Sequence, residues 1–143
     1  MAETTAALWI EKHTPRDDIL ATNVHCRFKP KKHLFCDSRA YWVTAFAERR
    51  ALVESWAYTE ENLNRIGQFT IGFPLFPFDD PALLHENDRN FTNPTAASLA
   101  VLREKHHVRW LFADSRAGQV SPELNDLATL RFSAGTVKIY QLK

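Results

Sequence analysis

Trp42, Arg49, Glu54 and Trp56 stand in a short, charged and aromatic stretch whose residue types suit recognition of a sugar or a phosphate. Aromatic faces stack on apolar ring faces, and an arginine fork binds anionic oxygens. Trp42 and Arg49 are seven residues apart, two turns of helix, and so share a face; Glu54 and Trp56 follow a short run that reads as a strand. The expectation is that these four residues form one corner, with Tyr58 beside it. The plainer alternative for Glu48, Arg49, Arg50 and Glu54 is an ion-pair cluster near a helix end, worth about 0–1 kcal/mol per pair.

Asn23 and His25 form a second candidate. They follow the apolar run Asp18 to Thr22, which reads as a first strand, and in open α/β sheets ligands bind where strands run out. Cys26 and Cys36 flank a basic turn, residues 27–32, and three states are open to them. A disulfide would close a loop of about ten residues and stabilise the fold by roughly 2.5–3 kcal/mol. Two unpaired thiols are the second state. The third is a metal site with His25 and His33, although adjacent ligands at positions 25 and 26 point apart on an extended chain, so no metal is assigned.

No catalytic residue is assigned either. The chain holds no G-x-S-x-G elbow, no phosphate loop and, with four glycines, no dinucleotide fingerprint, so no cofactor is expected. His106 and His107 sit where a helix passes into a strand, the ordinary place for a partner of the helix dipole.

These residues must be positioned by an α/β domain. Strands are predicted at about 18–22, 51–54, 108–113, 129–132 and 136–142, with a further short candidate at 33–36. Helices are predicted over 4–13, 40–49 (capped by Asp37 or Ser38), 60–66, 94–105 and, as a short one, 121–127. Asp80-Pro81, Asn93-Pro94 and Ser121-Pro122 each join a capping side chain to a proline suited to the first helical turn. Residues 67–80 have neither period yet contain four phenylalanines, Phe69, Phe73, Phe76 and Phe78, which read as plugs for the edge of the core or as a partner groove. The alternation favours a Rossmann-like mixed sheet flanked by helices and closed by an antiparallel hairpin.

At 143 residues the chain fits a single domain, one that buries roughly 70% of its unfolded surface. Eighteen basic and seventeen acidic residues leave a net charge of +1, which argues against a nucleic-acid partner. No run approaches a membrane span, and the segment from Met1 to Trp9 lacks the basic region and long apolar core of a signal peptide.

The run Trp42 to Glu54 resembles the segment after the tryptophan-rich acceptor motif of oligosaccharyltransferase catalytic subunits. Across most of its length the chain is more similar to the carboxy-terminal extramembrane domain of large multi-spanning bacterial membrane proteins of the lipid-linked-sugar glycosyltransferase type. Residues 21–26, 48–54, 80–84, Phe91-Thr92 and 108–112 carry the likeness. Val43 and Thr44 stand where the enzyme motif has an acidic residue and a tyrosine, so acceptor-peptide binding does not carry over. The family's catalytic residues lie in membrane loops with no counterpart among these residues.

The resemblance implies a non-catalytic, extracytoplasmic accessory domain that meets the membrane-embedded portion of its parent and contacts a glycan or lipid-linked sugar. Two other readings stand beside it. One is a free-standing soluble enzyme with its site at Asn23 and His25, and the other a protein-interaction module using loop 69–78.

Overall fold

The computed structural model describes residues 1–27, 36–66 and 70–143. In chain order these form α1 (Ala2–His13), β1 (Ile19–Thr22), α2 (Trp42–Ala47), β2 (Arg50–Ala51), α3 (Glu60–Ile66), a 3-10 turn at Phe73–Leu75, α4 (Pro81–Thr92), α5 (Ala96–Glu104), β3 (Val108–Asp114), α6 (Leu124–Leu127), β4 (Thr129–Ala134) and β5 (Val137–Gln141).

The strands make one open sheet in the order β2-β1-β3-β5-β4. β1 runs parallel to both β2 and β3, whereas β5 is antiparallel to β3 and to β4. The expected mixed sheet with a closing hairpin is what forms. Alternation along the strands sends Leu20, Trp110, Phe112, Val137 and Ile139 to one face, where they meet Ala6, Ala7 and Ile10 of α1 and Val43 and Ala47 of α2. Ala21, Leu111, Ala113 and Tyr140 face the other way, against Phe91 of α4, Leu99 and Leu102 of α5 and Leu124 of α6. Because β3 is covered on both faces, its sequence is nearly all apolar, and each fully buried large side chain contributes about 1.5–3 kcal/mol. The hairpin turn needs Gly135, whose φ is +57° and whose position would put a Cβ 2.7 Å from that of Ala2.

Several boundaries differ from the sequence expectation, each for a local reason. β2 has two residues rather than four, because Ser55 pulls the chain across the end of the sheet: its Oγ donates to the His25 carbonyl and accepts from the Ala40 amide, both at 2.8 Å. α2 is shorter than residues 40–49 because Glu48 caps it in the left-handed region at φ 49°. Neither Asp37 nor Ser38 caps that helix. Asp37 takes a two-pronged bond from Arg39 at 2.6 and 2.7 Å, and the Ser38 hydroxyl donates to the Pro74 carbonyl at 2.9 Å.

Asp80 caps α4 as expected, accepting from the Leu83 amide at 3.0 Å. Asn93, in contrast, ends α4, and α5 is opened by Thr95, whose hydroxyl and backbone exchange bonds with Ser98. This reciprocal pair satisfies two amides at once, which Asn93 followed by a proline does not. Ser121 accepts from the Glu123 amide at 3.3 Å and opens a turn, with α6 following from Leu124. Of the strand expected at 33–36, only Cys36 lies within the described residues, and it is not in a strand.

Candidate functional site

The chain leaving β2 passes between three helix starts, and this crossing encloses a cavity of about 420 Å³. Its wall takes Glu54, Ser55 and Trp56 from the exit of β2, Tyr41 from the cap of α2, Tyr58, Thr59 and Glu61 from the start of α3, and Phe78, Asp79, Asp80 and Leu83 from the approach to α4. It therefore lies outside the carboxyl end of a parallel strand, the general location of ligand sites in α/β sheets.

Aromatic groups hold the shape of this cavity. Trp56 is buried, donates its indole N–H to the Phe76 carbonyl at 2.8 Å, and packs on Phe78 with ring centres 5.3 Å apart. The Tyr41 and Tyr58 rings lie 5.7 Å apart, with the Tyr41 hydroxyl accepting from the Tyr58 amide at 2.9 Å. Tyr58 is 53% exposed and offers a free aromatic surface at the rim. Glu54, Glu61, Asp79 and Asp80 supply carboxyl groups, and the described lining includes no Lys, Arg or His.

Desolvation pushes the Glu54 carboxyl up to about 7, so near neutral pH it is shared between its acid and its carboxylate forms. Burial also raises the Tyr41 hydroxyl, against the opposing bond from the Tyr58 backbone and with the help of the nearby Glu54 charge.

The four residues expected to form one corner are divided. Glu54 and Trp56 line this cavity. Trp42 lies half-buried edge-on to Phe112, with ring centres 5.6 Å apart, and lines a separate cavity of about 280 Å³ with Val24, Cys26, Arg27, Asp114 and Arg116. Arg49 is buried and lines neither. Its guanidinium donates to Thr14 Oγ1 and to the carbonyls of Glu11, Thr14, Ala47 and Glu48, so no N–H is directed at a ligand. Its seven-residue spacing from Trp42 does not bring them to one site, because α2 ends at Ala47 before Arg49 is reached.

Asn23 and His25 are also engaged by the protein itself. Asn23 joins the carboxyl ends of β1 and β3: its Nδ2 donates to the Asp114 carbonyl and its Oδ1 accepts from the Asp114 amide, each at 2.9 Å. His25 is buried with Nε2 2.8 Å from Asp88 Oδ1, and its Nδ1 and the nearby Asn87 Oδ1 have no partner among the described residues. Asn87 Nδ2 donates to the Thr22 carbonyl and to Asp88, which ties α4 to the end of β1. Cys26 and Cys36 are bonded to each other, which removes both sulfurs from any metal set; His33 lies outside the described residues. Among the described residues no group of three or more His, Cys, Asp or Glu is placed to hold a metal ion.

His106 serves α4 rather than the end of its own helix, meeting Glu86 at 3.2 Å, and His107 is exposed in the left-handed region at φ 58°. Of the loop phenylalanines, Phe73 packs on Tyr58 and Phe78 on Trp56, whereas Phe76 is partly exposed beside Leu75 and the fully exposed Ile71. Phe69 lies outside the described residues.

Tyr41, Glu61, Asp79 and Asp80 were not singled out as site residues from the sequence. A compositional signal exists for three of them, in the tyrosines on both sides of the Trp42 to Trp56 stretch and the phenylalanine-rich loop that ends in two aspartates, and none for Glu61. Comparison of the chain with protein-family models, with curated proteins and with solved structures finds no match.

Proposed function

We propose that this chain is a non-catalytic carbohydrate-contacting domain, and that the cavity at the end of β2 is its site. The observation that carries the reading is the lining itself: the Tyr41, Tyr58, Trp56 and Phe78 rings around four carboxyl groups, with no basic side chain among the described lining residues. Aromatic faces suit the apolar face of a pyranose, and carboxylates accept hydrogen bonds from its hydroxyls. Four acidic groups disfavour a phosphate, so the ligand is a neutral or N-acetylated sugar rather than a sugar phosphate.

The extracytoplasmic, membrane-associated setting implied by the family resemblance belongs to the same proposal. The Cys26–Cys36 disulfide supports it, since such bonds persist in oxidising compartments. So do the exposed Ile71, Leu75 and Phe76 of the loop that leads to Phe78 in the cavity wall, apolar side chains suited to the membrane-embedded portion of a parent protein. Among the described residues no helix is long and apolar enough to cross a membrane.

The test is titration with a panel of neutral and N-acetylated oligosaccharides and their phosphorylated counterparts, following tryptophan fluorescence. Saturable binding of the neutral sugars, weaker binding of the phosphorylated forms, and loss of response in Tyr58→Ala and Glu54→Gln would support the site. A panel without a saturating response, or equal binding by both variants, would rule it out.

A second reading rests on Glu54 alone. A carboxyl group with a pKa of about 7 beside further carboxylates has the character of a general acid, which favours a glycoside-cleaving enzyme. Release of phenol from aryl glycosides by the wild type, but not by Glu54→Gln, would select that reading over simple binding.

A further inference from the structure

On the opposite face of the sheet from α1 and α2, a third cavity of about 290 Å³ lies between β5 and the turn that precedes α6. Its chemistry is the reverse of the first. Lys138 is the one charged residue among its described lining, and the cavity is bounded by Ser121 from the turn, by Asn125 of α6 and by Thr136 and Tyr140 from β5 and its approach. Lys138 pairs across the sheet with Ala113 on one side and Ser133 on the other. No carboxylate among the described residues comes within ion-pair distance of its ammonium group. The one acidic residue of β3, Asp114, is already held by Arg116 at 3.2 Å.

The unspent hydrogen-bonding capacity of this cavity includes three groups able to donate. The Thr136 hydroxyl is buried without a partner among the described residues. Ser121 Oγ accepts from the Glu123 amide, and its own proton has no acceptor there. The ammonium of Lys138 adds three further donors. Asn125 and Tyr140, by contrast, satisfy each other through a 3.0 Å bond and serve as wall. Buried polar groups such as the Thr136 hydroxyl are seldom left unpaired, and hydrogen bonds from an ammonium are strongest to an acceptor that carries negative charge.

We propose that the cavity lined by Lys138, Ser121 and Thr136 binds a small oxyanion, the carboxylate or phosphate group of a metabolite-sized ligand. The site is independent of the carbohydrate cavity, and it stands or falls separately.

The test uses the full chain, labelled with 15N and titrated separately with inorganic phosphate and with acetate, ionic strength being held constant with sodium chloride. Saturable shifts at the amides of Ser121, Thr136 and Lys138 with either anion, absent with chloride, are expected; which anion saturates first identifies the ligand class. Lys138→Gln should weaken binding at least about tenfold, whereas Lys138→Arg, which keeps the charge, should retain most of it. Linear, unsaturating drift with both anions would overturn the proposal, as would equal binding by Lys138→Gln. If that variant fails to fold, Ser121→Ala takes its place, with the same weakening expected and equal binding again overturning the site.

Discussion

Arg49 reaches from the end of α2 to the end of α1 and donates from Nη2 to the carbonyl oxygen of Thr14 at 2.6 Å. The same guanidinium meets the Thr14 hydroxyl and the Glu11 carbonyl, each at 3.0 Å, so one cation closes the C-terminal turn of α1 against the C-terminal end of α2. Free carbonyls at both helix ends carry partial negative charge, which a buried guanidinium satisfies without any carboxylate.

Arg49→Gln should therefore destabilise the fold by roughly 3 kcal/mol, since it takes the guanidinium from the buried Thr14 and Ala47 carbonyls and from the part-buried Glu11 and Glu48 carbonyls. Arg49→Lys should recover less than half of that, because an ammonium cannot span the same set of acceptors. Chemical denaturation measures both. Sugar binding by folded Arg49→Lys should match the wild type, and a selective loss of binding would return Arg49 to the ligand site.

Asn23→Ala should cost about 1–3 kcal/mol by breaking the paired bonds that lock β1 to β3 and taking the Asn23 acceptor from the Asp114 amide, while the Asp114 carbonyl keeps the Ala117 amide. Faster hydrogen exchange of the Asp114 amide, with slow exchange kept in the β4–β5 hairpin, is the expected local signature.

Reducing the Cys26–Cys36 bond should lower stability by about 2.5 kcal/mol, the chain-entropy value for a loop of this length. Denaturation with and without reductant, beside the Cys26→Ser/Cys36→Ser double variant, gives the figure. Two free thiols in protein recovered from an oxidising compartment would contradict both the bond and the extracytoplasmic setting.

The Glu54 carboxyl yields a pH dependence with a definite sign. Its pKa in the fold, about 7, lies above the ordinary value of 4.5, so the folded state holds the proton more tightly than the unfolded chain does. Its contribution to stability is fully present below about pH 4.5 and is lost as the pH rises through 7. The unscreened ceiling is roughly 3 kcal/mol. Because the group is half-exposed, solvent screening reduces the expected loss to about 1 kcal/mol. Glu54→Gln should flatten this part of the profile and be the more stable protein at pH 8; a slope unchanged by the substitution would assign the dependence to another group.

The amino-acid sequence by itself determined the elements and their assembly into one mixed sheet. Val108–Ala113 reads as a buried strand because its residues are nearly all apolar, and Asp80-Pro81 marks the start of α4 because capping is a local bond between neighbours. The amphipathic run that became α2 was visible for the same reason, as was the closing hairpin around Gly135. Local periodicity and caps act over a few residues, so a linear reading contains them.

Only the tertiary structure decided which side chains share a site. Trp42 and Arg49 have the spacing of one helical face, yet the left-handed residue Glu48 ends the helix between them and turns Arg49 toward α1. Glu54 and Trp56 join Tyr41 and Asp79 instead, because Ser55 ties the strand exit to His25 and Ala40. Long-range bonds of this kind depend on the direction in which the chain leaves each element. A single backbone angle at Glu48 and one serine hydroxyl redirected residues whose types alone pointed to a common corner.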